Sequence, residues 1–155
     1  MLKRKLRFIQ HSPLATLEQY GDLVDLQFTS IDKVFYGKVV VNGDLITYSK
    51  GSSIRFSLGV SIELPKNHKA NVYPRSGTFK NSNLILTNSV GQIDESYKGD
   101  NDIWMAHVYA LEDGQIKLGE RMLQFEMVRK QPKLKFERVL SLGNKNRGGF
   151  GSSGK

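Results

Sequence analysis

Apolar and polar residues alternate in short stretches along most of this chain. Ile54, Phe56 and Leu58 alternate with polar neighbours, and Val60, Ile62 and Leu64 repeat the pattern across Gly59. A period of two puts one face of a strand in a core and the other in water. Lys38-Val39-Val40-Val41 runs into Asn42-Gly43, and Leu45-Ile46-Thr47-Tyr48 follows. An Asn-Gly pair between β-branched runs predicts a hairpin in which both turn residues take positive φ. Further strand-like runs span Ala70 to Tyr73, Leu84 to Thr87, Ile103 to Leu111 and Leu123 to Val128. Turn residues punctuate them at Lys50-Gly51, Pro65-Lys66-Asn67, Asp113-Gly114 and Gly119. The spacing predicts an all-β, antiparallel sandwich or barrel, with a jelly roll as one topology. The best helix candidate is brief, around Gly77 to Asn81. Residues 1–143 read as one β-rich domain. Residues 144–155 are rich in Gly, Ser and cations and read as a flexible arm, mobile in the absence of a ligand.

At 155 residues the chain is long enough for one domain with a real core. It has no cysteine, which excludes disulfides and thiolate metal sites and fits a reducing, cytoplasmic setting. His11, His68 and His107 are far apart and show no ligand spacing, so a histidine zinc site is not expected. The basic start, Met1 to Arg7, is followed by no apolar run of signal-peptide length. No stretch approaches the roughly 18 apolar residues of a membrane span. The formal charge of +8 favours an anionic partner: nucleic acid, a nucleotide or a phosphate-rich surface. Aromatic residues are not interleaved with the cations as on a stacking platform, so nucleic acid is the less expected of these.

Four segments carry candidate chemistry. Gly91-Gln92-Ile93-Asp94-Glu95-Ser96-Tyr97-Lys98-Gly99-Asp100 sets a carboxylate three residues before an aromatic, between glycines that permit a tight hairpin close to a ligand. Asp94 is placed to act on a water or a ligand, and Tyr97 to pack on a flat or apolar group; read alone, the segment is more simply a surface turn with a solvated Asp and a half-buried Tyr. Pro74-Arg75-Ser76-Gly77 puts a guanidinium and a hydroxyl together at a strand end, a pairing that suits a phosphate or an ordinary turn. Gly119-Glu120-Arg121-Met122-Leu123-Gln124 opens a strand in which Arg121 and Leu123 alternate with Met122 and Gln124. Its plain reading is a hairpin exit with one salt-bridged arginine. Gly149-Phe150-Gly151-Ser152-Ser153-Gly154-Lys155 matches most of a phosphate-loop pattern, but neither the closing Ser or Thr nor a helix follows. Its glycines and serines still offer donors to a polyphosphate, Lys155 and Arg147 add charge, and Phe150 is a ring that could stack on a base.

In this order and at these separations, the four segments resemble the second to fifth motifs of the trimeric dUTPase family, the deoxyuridine triphosphate nucleotidohydrolases. The resemblance runs from about Gly59 to the C-terminus. The family's first motif, Ala-Gly-x-Asp-Leu, has its nearest counterpart in Leu23-Val24-Asp25-Leu26. Ser96 stands where the family often has an acid, and Lys98 where arginine is usual. Lys145 occupies the place of the arginine that opens the fifth motif, with Arg147 two residues later.

The resemblance implies a dUTP diphosphatase that gives dUMP and pyrophosphate. Asp94 would be the general base, and Arg75, Ser76, Gly77 and Gln124 would hold the phosphates. Tyr97 would exclude a 2′-hydroxyl, and Asn88, Gly91 and Ile93 would read the uracil edge. The resemblance also implies a homotrimer with shared sites. Phe150 of the arm would cover the base, with Gly151, Ser152, Ser153 and the cations Lys145 and Arg147 at the phosphates. Mg²⁺ would ride mainly on the triphosphate, with Asp25 contributing through water. The divergent N-terminal third fits a phage or prophage branch. A dCTP deaminase-like relative and a phage signalling protein that uses the nucleotide as a switch are the alternatives on the same fold.

Overall fold

The computed structural model describes residues 3–151. Among them are fourteen strands and one short helix. Five strands form the sheet that carries most of the candidate chemistry, in the order β11 (Gly91–Asp94), β9 (His68–Pro74), β14 (Arg121–Arg129), β3 (Leu23–Gln27) and β2 (Glu18–Tyr20). A four-stranded sheet faces it, ordered β10 (Leu84–Leu86), β12 (Met105–Ala110), β7 (Ser53–Ser57) and β4 (Ser30–Tyr36). A three-stranded sheet of β13 (Gly114–Lys117), β6 (Leu45–Tyr48) and β5 (Val39–Asn42) and a pair of β1 (Phe8–Gln10) with β8 (Val60–Ile62) complete the body. Every pairing is antiparallel, and most join strands distant in sequence. This is the expected jelly-roll-like sandwich.

Period-two patterning decides which side chains enter the core. On β7, Ile54 and Phe56 are fully buried while Arg55 between them is not. On β9, Ala70 and Val72 point inward and Lys69, Asn71 and Tyr73 outward. The facing sheets meet at Phe28 and Phe56, whose rings stack at 4.3 Å, and at Trp104 and Phe125, which meet edge-on at 5.0 Å. The edge-on contact suits the quadrupoles of aromatic rings.

Two local expectations are corrected. The hairpin at residues 39–48 forms, but its turn is Gly43-Asp44: Asn42 pairs with Leu45 as the last strand residue, and only Gly43 has positive φ (62°). The start of β14 does not alternate, because a register shift between Arg121 and Leu123 buries both Met122 and Leu123. A bulge of this kind adds one residue to a strand and re-aims its neighbours. Arg121 and Gln124 are thereby both kept out of the core.

The predicted helix is α1 (Thr78–Ser82), with Gly77 at its N-cap and Asn83 closing it in the left-handed region at φ 61°. Thr78 Oγ1 accepts from the Arg75 N–H and donates to the Met122 carbonyl, tying α1 to the start of β14. The last strand ends at Arg129, and residues 130–151 contain no helix or strand. No helix among the described residues is long and apolar enough to cross a membrane.

Phe56 fills the centre of the sandwich, so Phe56→Ala should cost about 3–5 kcal/mol. Urea unfolding should show a lower midpoint at an unchanged slope. A loss below about 1 kcal/mol would contradict the placement of the core at the Phe28–Phe56 stack.

Candidate functional site

At the C-terminal end of β9 the chain turns through Arg75, Ser76 and Gly77 into α1. Arg75 lies over Asp25 of β3, its Nε 3.2 Å from Oδ1, and Arg121 approaches Oδ2 at 3.5 Å. The Asp25 side chain is only 5% exposed, while the two guanidinium groups are partly open to solvent. A buried carboxylate needs such partners, because an unpaired buried charge is strongly unfavourable. Arg75 Nη1 also donates to the Arg121 carbonyl (3.2 Å), and Gln124 Nε2 donates to the Pro74 carbonyl (3.3 Å). Ser76 is exposed beside them. Gly77 sits so close to Asn81 that a Cβ would lie 3.1 Å from its Nδ2. A small pocket of about 80 Å³ opens here between Arg75, Gly77, Thr78, Asn81, Arg121 and Met122. Two guanidinium groups meet Asp25 here, and the Glu120 carboxylate lines the same pocket. Each guanidinium has five N–H donors, of which these contacts use only part. The cluster can bind an oxyanion.

At the other end of the same sheet, Asp94 closes β11. Its Oδ2 accepts from the Ser96 N–H (2.9 Å) and hydroxyl, and its Oδ1 lies 2.6 Å from Lys130 Nζ. Lys130, then Ser96, hold this carboxyl well below the usual carboxylate range, so it is ionised at any physiological pH. Tyr97 follows, its N–H on the Asp94 carbonyl (3.1 Å) and its hydroxyl on the Ile103 carbonyl (2.8 Å). Burial and then nearby Asp102 push the phenol up from its ordinary value. Gln92, Ile93, Asp94, Ser96, Tyr97 and Met105 line an open pocket of about 390 Å³. An anion, an apolar wall and a ring edge meet there.

The segment from Gly91 to Asp100 is not the hairpin expected from its glycines. Gly91 to Asp94 pair with β9, and the rest is a loop leading to β12. Neither Gly91 nor Gly99 has positive φ. Both are sites of close approach: a Cβ at Gly91 would lie 3.2 Å from Val72 Cβ, and one at Gly99 would lie 2.8 Å from Asp102 Oδ2. Asn88 is exposed in the turn before β11, its carbonyl accepting from the Val90 N–H (2.6 Å).

The predicted residues therefore fall into two groups. Asp94 is paired with Lys69 near the start of β9, whereas Arg75 follows Pro74 at its far end. Six residues of extended chain separate these positions, about 20 Å at about 3.3 Å per residue. Within one copy, Asp94 and Tyr97 do not share a site with Arg75, Ser76, Gly77 and Gln124. Lys145, Arg147, Phe150 and Gly151 lie in the irregular C-terminal segment, with Phe150 fully exposed. Ser152 and Ser153 lie outside the described residues. Two functional contacts were not read from the sequence. Arg121 shares Asp25 with Arg75, which refines its plain reading as a salt-bridged residue. Lys130 reaches Asp94 from 36 positions away, and no local signal marks it.

A model of the dUTPase family matches residues 39–154. A prophage-derived deoxyuridine 5′-triphosphate nucleotidohydrolase of Bacillus subtilis (YosS) is 54% identical over 97 residues, covering 63% of this chain and 68% of its own. The fold resembles that of the dUTPase of Staphylococcus bacteriophage 80alpha, solved with dUPNHPP. The TM-score there is 0.64 at 21% identity, over 99% of this chain and 100% of that one. It also resembles a variant dUTPase from phage phi11 of Staphylococcus aureus, whose structure holds a structural Mg(II) ion. In that case the TM-score is 0.62 at 13% identity, over 90% and 99% of the two chains. With its motifs in order, its strands in the family's arrangement and most of its length matched, the chain belongs to the dUTPase family.

Proposed function

We propose that this protein is a dUTP diphosphatase, attacking the α-phosphorus of dUTP with water to give dUMP and pyrophosphate. One observation carries the reading: Asp94 is held ionised at the rim of a pocket walled by Ile93, Tyr97 and Met105. Asp94 orients the attacking water and accepts its proton as the new phosphorus–oxygen bond forms. The bond from the α-phosphorus to its bridging oxygen breaks, and pyrophosphate leaves. A positioned base contributes on the order of 10²–10⁴-fold. Tyr97, anchored by its hydroxyl, presses on C2′ and leaves no room for a ribose hydroxyl. The backbone from Gly91 to Ile93, with Asn88, reads the uracil edge, against thymine by size and against cytosine by mismatched donors.

Arg75, Ser76, Gly77 and Gln124 serve the phosphates, where donors fixed in advance stabilise charge that grows in the transition state. The separation of about 20 Å along β9 supports a site completed by a second copy, whose Arg75 end meets the Asp94 end of the first. A closed ring of three copies satisfies this head-to-tail relation. The C-terminal arm then covers the site. Phe150 lies over the base, and Lys145, Arg147, Gly151, Ser152 and Ser153 lie at the phosphates, which keeps out water other than the nucleophile.

Among the described residues no group of three His, Cys, Asp or Glu side chains could hold a metal ion. Asp25 engages both carboxylate oxygens with Arg75 and Arg121, so any contact it makes with Mg²⁺ runs through water. Mg²⁺ would be held mainly by the triphosphate and waters, with Asp25 contributing through water, and would supply charge neutralisation there. The dCTP deaminase alternative needs a glutamate aimed at the base, and the Asp94 pocket offers an aspartate and a tyrosine instead. The setting of action is cytoplasmic, in the host if the chain is phage-encoded.

Pyrophosphate release from a panel of nucleoside triphosphates tests the reading. Turnover should be strong with dUTP, weak with UTP and absent with dCTP. Asp94→Asn should bind dUTP nearly as well as the parent yet lose at least about a hundredfold in kcat, the share of a lost base. Near-normal turnover by that variant would remove Asp94 from its role.

Sharing of the site is tested by mixing two inactive variants, Asp94→Asn and Arg75→Ala. Random reassembly should restore activity in about a quarter of the sites, because each draws its base and its arginine from different copies. Mixtures shown by mass to exchange subunits, yet still inactive, would mean that each copy builds its site alone.

A further inference from the structure

Lys130 is the first residue after β14 and the root of the irregular C-terminal segment. Its ammonium lies 2.6 Å from Asp94 Oδ1 and 3.0 Å from Glu95 Oε1. Its backbone is fixed as well: the Lys130 N–H donates to the Asn67 carbonyl (2.9 Å). The Asn67 N–H in turn donates to Glu95 Oε2 (2.9 Å). Asn67, Glu95, Lys130 and Asp94 thus form one connected set between the β9 entrance, the β11 exit and the β14 exit.

Strand register brings them together. Lys69 opposes Asp94 on one side and Val128 on the other. Ala70, Ile93 and Met127 turn toward the core, so Lys69, Asp94 and Val128 share the opposite face. Lys130, two residues past Val128, continues along that face. The charged groups facing Asp94 are Lys130 from the end of β14, Glu95 beside it and Lys69 across on β9.

We propose that Lys130 is a positioning residue for the reaction: it holds the Asp94 carboxylate in one orientation and ties it to the root of the arm. The proposal rests on the reading of Asp94 as the base. A half-exposed carboxylate at a strand end rotates freely about χ2 unless both oxygens are engaged. Here Ser96 holds one and Lys130 the other, leaving the remaining lone pairs for the water. Ser96, where the family often has an acid, adds a donor rather than a repelling charge. Glu95 alone would repel the Asp94 anion, and Lys130 bridges the two.

Lys130→Met in the assembled full chain is the test. Exposed ion pairs are weak, so kcat on dUTP should fall about twofold to fivefold, with KM within about twofold. The cation favours the ionised carboxylate, and only the anion can accept the water's proton. Its loss should therefore move the acid limb of kcat/KM to higher pH, and Lys130→Arg should restore both the limb and kcat. Lys130→Gln, which keeps a donor without charge, carries the same test if the methionine variant folds poorly. If Asp94→Asn is inactive while Lys130→Met keeps the parent's kcat and acid limb, the role of Lys130 is overturned and that of Asp94 stands. A rise in kcat would also overturn it, since the lysine would then be restraining the base. Normal turnover by Asp94→Asn would remove the base assignment and the proposal together.

Discussion

The pairing of β9 with β11 on one side and β14 on the other is the constraint that shapes this molecule. A paired strand is nearly straight and rises about 3.3 Å per residue, so whatever it carries at its two ends stays apart. Here the ends carry a carboxylate beside a nucleoside-sized pocket and a pair of guanidinium groups. A flexible loop could bring such groups together by bending; a strand hydrogen-bonded on both edges cannot. The shared site proposed above leaves this ladder whole, whereas bringing the two ends together within one copy would break several backbone hydrogen bonds.

Two carboxylates are treated in opposite ways. Asp25 is buried and met by Arg75 and Arg121. Removing one partner of such a pair is strongly destabilising even where the pair itself adds little net stability. It fixes where the two arginines stand and leaves part of each guanidinium open to solvent. Asp94 is about half exposed, so its contacts with Ser96 and Lys130 are worth more as orientation than as stability. One carboxylate organises cations, and the other is organised by one.

Much of this could be read from the sequence because the chemistry sits in short local segments. Pro74 to Gly77 and Ile93 to Tyr97 fold as contiguous pieces, and alternation in Ile54–Phe56 and Ala70–Tyr73 marks their strands' inner faces. The N-terminal strands β1 to β4 were not legible, for physical reasons. The side chains of β1 and β2 are all exposed, most of those on β4 are exposed, and β3 buries Asp25 and Gln27 beside Leu26. Gln27 is satisfied by Thr16, with its Nε2 on the Thr16 carbonyl at 2.9 Å, an arrangement no hydrophobic pattern announces. The bulge at Arg121–Leu123 was hidden because alternation assumes an unbroken register, and Lys130 because its partner is fixed by pairing between distant strands.

The charge of the chain changes meaning once the fold is known. Residues 8–128 hold 11 Lys and Arg against 14 Asp and Glu, so the body is mildly acidic and the positive excess belongs to the two terminal segments. Beyond β14 the chain carries cations at Lys130, Lys133, Lys135, Arg138, Lys145, Arg147 and Lys155, with Glu137 the only acid among them. Leu140 and Leu142 are exposed on the same stretch. A basic segment attached to an acidic body is attracted to anionic groups, whether on a protein surface or on a nucleotide. Both attractions weaken with salt over a screening length of about 8–10 Å. The anionic partner suggested by +8 is therefore not one the folded body would collect over its surface. Under the proposed mechanism it is one that the cationic segment meets at a site shared between copies.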